Sequence, residues 1–88
     1  MNVEKAVRIS AQLYDCRNAA MFVLGDKYQA TTEQWRTSIE KVAEAKGVSH
    51  LKAATMLGAA AEKEGAPVVS IVILAAYVEM VEPSRKPS

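Results

Sequence analysis

Between Pro67 and Val81 the chain reads PVVSIVILAAYVEMV, thirteen apolar residues in fifteen with only Ser70 and Glu79 interrupting. Wound at 3.6 residues per turn the segment has no polar face, so nearly every side of it needs cover. Pro67 suits the first turn of a helix, where its missing N–H is not needed, and Pro83 marks the stop. The β-branched residues Val68, Val69, Ile71, Val72 and Ile73 would also suit a strand over 67–74. Helix is favoured because no second strand candidate exists to pair with it, and LAAYVEM continues the run in helix-forming residues.

The rest of the chain shows the amphipathic pattern this segment lacks. Ala6, Ile9, Leu13, Cys16, Ala20 and Leu24 recur every three or four residues, with Val7, Tyr14 and Met21 beside them. Arg8, Gln12, Asp15 and Asn18 fall opposite, which predicts a helix over 3–24 ending at Gly25. Asp26 and Gln29 have the spacing of a capping box for a second helix. Tyr28, Trp35 and Val42 then repeat every seven residues, and Thr32 and Ile39 fill the alternate turns. A helix over 27–46 fits, folding back on the first as an αα-hairpin, with a start at Thr32 as the competing reading. Gly47 stops it. Ser49 caps a third helix, 50–64, whose row Leu51, Ala54, Gly58 and Ala61 is mostly small and admits a close neighbour. The expected architecture is all-α: a small four-helix bundle of αα-hairpins in one domain, 1–88, with helices near 3–24, 27–46, 50–64 and 67–82. The last helix is largely buried and the tail 83–88 frayed.

Composition narrows the function. Eleven basic and ten acidic side chains give a net charge of +1, so no long-range field favours nucleic acid or an anionic membrane. Cys16 is the only cysteine and His50 the only histidine, which supports neither an internal disulfide nor a thiolate metal site nor a catalytic triad. The apolar run would span about 24 Å as a helix, short of the ~30 Å hydrocarbon core. A cytoplasmic, soluble protein with no cofactor, no metal and no enzymatic activity is expected. Cys16 sits on an apolar stripe, as small hydrophobes do, and Ser70 is expected to bond back to a carbonyl one turn earlier.

The leading expectation is a small helical protein-interaction module, an adaptor or inhibitor of the sort phages and mobile elements encode. Tyr14, Tyr28, Trp35 and Arg36 are its candidate partner-binding group, because Tyr, Trp and Arg are enriched at binding hot spots. The bland alternative is that the aromatics close the core, and Trp35 on that account is largely buried. Self-association is a second expectation. Surrounding one helix fully takes about six neighbours at ~8–10 Å, and this chain supplies three. A homo-oligomer, with a dimer favoured, would cover the remainder through Gly58, or through Ile71, Leu74 and Val78.

Residues 42–57, VAEAKGVSHLKAATML, offer a different function. They resemble the helix-turn-helix of bacterial repressors: Ala43 at a crowded helix contact, Gly47 in the turn, Val48 inward and Ser49 opening the second helix. The resemblance covers sixteen residues and implies that His50, Leu51 and Lys52 would face DNA. Leu51 and the small residues that follow stand where readers of base edges usually carry Arg, Gln or Asn, so DNA binding ranks second. A third reading is an oligomeric binder of a small anionic ligand, rimmed by Arg17, Lys27, Arg36 and Lys41.

Overall fold

The computed structural model describes the backbone of residues 3–83 and the side chains of Leu13 and of residues 15–83. Expectations for Ala6, Val7, Ile9 and the Tyr14 side chain, and for the tail from 84 onward, lie outside the described residues. The described chain is all-helical: α1 (Val3–Leu24), a 3-10 turn (Gly25–Lys27), α2 (Tyr28–Lys46), α3 (His50–Lys63) and α4 (Pro67–Val81). Residues 67–74 are helix, not strand, with Pro67 in the first turn.

Each of α1, α2 and α3 packs chiefly on α4. This follows from the sequence pattern, because α4 alone is apolar all round and can accept a neighbour on every side. Val72, Ile73, Ala75, Ala76 and Val78 are buried, together with Ser70 and Glu79. Among its residues only Pro67, Val68 and Val81, at the two ends, are exposed. Small Ala75 and Ala76, both fully buried, let the three neighbours come close, while Val69, Ile71, Leu74, Tyr77 and Met80 stay half-buried.

The αα-hairpin of α1 and α2 is corrected. These helices touch little beyond their turn and splay onto different sides of α4. No Asp26 capping box forms either. The chain passes directly through the 3-10 turn, and no side chain caps the start of that turn or of α2.

Two apolar clusters make the core. The larger joins Ile39 and Ala43 of α2, Ala53 and Ala54 of α3, and Ile73 and Ala76 of α4. The smaller joins Ala20 of α1, Tyr28, Val72 and Ala75. Trp35 packs on the flanks of both and is partly buried. The centre of the α2 stripe lies on Tyr28, Thr32, Ile39 and Ala43. Compact side chains take the closest approach to α4, and the indole covers the seam between the clusters. Thr32 can be buried because its hydroxyl donates to the Tyr28 carbonyl at 2.8 Å.

On α3 the small row is used inside the chain. Gly58 is buried, and a Cβ there would lie 3.0 Å from Ser70 Oγ. Gly58→Val should therefore push α3 from α4 and destabilise the fold by about 1–3 kcal/mol. Gly58→Ala should stay near neutral, its propensity gain of up to ~1 kcal/mol offset by the crowding of Ser70. Urea titration of the two variants measures both, and equal stability of wild type and Gly58→Val would contradict the close approach.

Candidate functional site

The polar groups that α4 carries into the interior meet specific partners. Glu79 is 3% exposed and accepts a hydrogen bond from the Tyr28 hydroxyl at 2.5 Å. Arg17 Nη1 of α1 lies 4.0 Å from the same carboxylate oxygen, and donates to the backbone carbonyl of Glu82 at 2.9 Å. One carboxylate thus ties α1, α2 and α4 together. A buried charge needs such partners, since an unpaired one would cost several kcal/mol. Ser70, in turn, does not bond back along its own helix as expected. Its hydroxyl donates to Glu62 Oε1 at 3.4 Å, because the bare backbone of Gly58 lets α3 come within reach.

α1 and α3 flank α4 without packing on each other among the described residues, and a groove remains between them. Ser70 and Leu74 form its floor, Leu13 one wall, and Leu51, Thr55, Ala59 and Glu62 the other. Its volume is ≈ 270 Å³, just under the ~300 Å³ at which small-molecule pockets begin. The lining is mainly apolar; its carboxylate already meets the Ser70 hydroxyl, and the Thr55 hydroxyl donates to the Leu51 carbonyl at 2.8 Å.

The sequence-derived residues are dispersed rather than gathered. Tyr28 is buried on Glu79, so it is core and not surface. Trp35 is half-buried beside it. Arg36 is half-buried too, and its shielded Nε finds no hydrogen-bond partner among the described residues. Ile71 is half-buried on the smaller cluster, Leu74 floors the groove, and Val78 is 5% exposed. Gly58, like Val78, is buried within the chain. His50, Leu51 and Lys52 are all exposed on the first turn of α3, where Ser49 Oγ accepts from the Lys52 amide at 3.1 Å. Of the basic rim, Lys27 and Lys41 are exposed, whereas Arg17 is engaged with Glu79 and Glu82. Cys16 is half-buried, and its burial, then the Asp15 carboxylate beside it, push the thiol pKa above its ordinary value. Such a thiol is a weak nucleophile.

Sequence reasoning missed an exposed apolar pair. Phe22 is 92% exposed and Val23 60%, on consecutive positions just before the turn into α2. The signal was there: FVL closes α1, and only Leu24 of the three fits the inward row.

No family model, no curated protein and no solved structure matches the chain. Among the described residues no group of His, Cys, Asp and Glu is arranged to hold a metal ion, and no helix is long and apolar enough to cross a membrane.

Glu79→Ala should destabilise the fold by about 3 kcal/mol, since it strands the Tyr28 hydroxyl and the Arg17 charge. Glu79→Gln keeps an acceptor for Tyr28 and should cost roughly half as much. Combining Glu79→Leu with Tyr28→Phe should recover part of the loss that Glu79→Leu causes alone. Strict additivity in thermal unfolding of that cycle would contradict the coupling.

Proposed function

We propose that the protein is a small non-enzymatic module, built as a four-helix bundle, that acts by binding protein, its own second copy included. The observation that carries this reading is the pair Phe22 and Val23, 92% and 60% exposed at the end of α1. A phenylalanine in full contact with water contributes nothing to the fold, and aromatic anchors of this kind supply most of the energy at interfaces. The described polar pairs, Tyr28 with Glu79 and Ser70 with Glu62, are engaged in joining helices, which fits a binding role better than a catalytic one. The end of α1 therefore joins α4, which the sequence suggested, as a carrier of self-association.

Phe22→Asp should leave thermal unfolding unchanged, because the side chain is solvated in the folded chain. It should weaken self-association at micromolar concentration by tenfold or more, the usual consequence of removing a buried anchor. Sedimentation equilibrium reads this. A wild type that stays monomeric throughout would remove the homo-oligomer.

A DNA-binding role is the second reading, favoured by the corner between α2 and α3. Ala43 is buried there, Gly47 turns at φ 64°, Val48 is half-buried and Ser49 caps α3, while His50 and Lys52 face solvent. On this reading Lys52→Glu abolishes binding without unfolding the domain, in mobility shifts followed across salt. Absence of any shift by the wild type at low salt would dispose of it.

A further inference from the structure

Three glycines with positive φ break the helical path, and they are not equivalent. Past Gly47 the chain needs Ser49 in an extended conformation, at φ −67° and ψ 161°. Past Gly65 it needs Ala66 at φ −120° and ψ 65°, and then Pro67, which could not continue a helix. At Gly25 the neighbours are already helical. Leu24 (φ −89°, ψ −26°), Lys27 (φ −86°, ψ −4°) and Tyr28 (φ −56°, ψ −50°) are all right-handed, and Asp26 lies in a 3-10 turn. Only Gly25 itself, at φ 54°, stands in the left-handed region. Rotation of this one residue, which glycine accepts on either side of φ zero, would fuse α1 and α2 into a single helix.

What α1 would leave behind is equally particular. It packs on α4 and, among the described residues, touches α2 little beyond the turn and contributes no side chain to the larger core cluster. Among its described side chains only Ala20 is buried; Leu13, Cys16, Arg17, Met21 and Leu24 are half-buried. Its polar tie is Arg17, to Glu79 and to the Glu82 carbonyl. Departure of α1 leaves Ile39, Ala43, Ala53, Ala54, Ile73 and Ala76 in contact, but opens the side of α4 that Ala20 covers. The α1 of another copy carries the complement of that opening, since it is the same helix.

We propose that the protein dimerises by exchanging α1, each copy's first helix seating on the α4 of its partner with Gly25 as the hinge. The proposal rests on the self-association reading above and specifies its mechanism. The exchanged contacts, including the Arg17 tie, are the ones the closed chain already makes, so exchange is a low-cost route to a dimer. It also accounts for Phe22 and Val23. They stand two and three residues from the hinge and are uncovered in the closed chain; where two fused helices cross near their hinges, these side chains cover one another. A fused helix from Val3 to Lys46 would run about 66 Å at ~1.5 Å per residue, against a longest extent of 37 Å for the closed chain.

Gly25→Ala tests the hinge. Nothing lies within 4 Å of a Cβ at this position, so the substitution acts through φ alone. Alanine disfavours the left-handed closed form roughly fivefold at each of two hinges, so the dimerisation constant should rise about twenty-five-fold over wild type. Gly47→Ala, equally open and also at positive φ, should lower stability without strengthening the dimer. Phe22→Asp added to Gly25→Ala should cancel the gain. Exchange itself is read from spin labels at Asn18→Cys and Val81→Cys in a Cys16→Ser background, two exposed sites brought together by the contact between Arg17 and Glu82. Refolding the labelled chain with a tenfold excess of unlabelled chain at dimer-forming concentration should abolish the short distance within one chain. If a dimer forms and that distance survives, exchange is overturned while self-association stands. If neither wild type nor Gly25→Ala dimerises, both readings fall.

Discussion

A helix without a polar face dictates this fold. α4 can be stable only where other helices shield it from water, and the three others do so by packing on it rather than on one another. The result is a hub with three spokes, in which the interaction between any two outer helices is secondary. α2 and α3 do touch, through the larger cluster, whereas α1 and α3 stand apart and leave the groove. The openings in the surface follow from how a central cylinder divides its circumference among three neighbours.

Apolarity on every side creates a second problem, that of rotation. A featureless cylinder packs about equally well turned through any angle. Ser70 and Glu79 remove that freedom, since each meets its partners at one setting of the helix. Ser70 lies where Gly58 gives it room and reaches Glu62, and Glu79 faces Tyr28 and Arg17. Set nine positions apart, they fix the helix in both angle and height. A buried carboxylate adds little net stability over an apolar side chain of its size, but it penalises every misaligned packing by the cost of an unpaired charge.

The helices were legible in the sequence because their signals are local. Glycine stops, the Ser49 cap, Pro67 and the three-and-four spacing act within a turn or two of the residues that carry them. How the helices meet was not legible, because it depends on the shape of α4. Tyr28 and Trp35 share a heptad row, yet one is core and the other flank; only the small Ala75 and Ala76 opposite decide which side of the row comes closest. A side chain at residue 58 would crowd the Ser70 hydroxyl, so its bond to Glu62 depends on a residue of another helix. Glu79 did announce itself, as a carboxylate in an apolar run. The sequence offered several donors for it, and choosing Tyr28 and Arg17 required knowing that α1 and α2 diverge from their turn. The exposed residues of the candidate sites followed the same division. His50 and Lys52, placed by a local cap, face solvent, whereas Gly58 and Val78, assigned by counting neighbours round a cylinder, are buried, and Ile71 and Leu74 are half-buried.

The position of the hub in the chain has a consequence for biosynthesis. α1, α2 and α3 leave the ribosome before α4, and translation adds only ~5–20 residues per second. Until α4 arrives, their apolar stripes lack the surface they are shaped to cover, and isolated helices of this length are marginal in water. Native packing of these helices is therefore completed only after most of the chain has been made. During that interval a neighbouring nascent chain on the same message is a competing source of the missing surface.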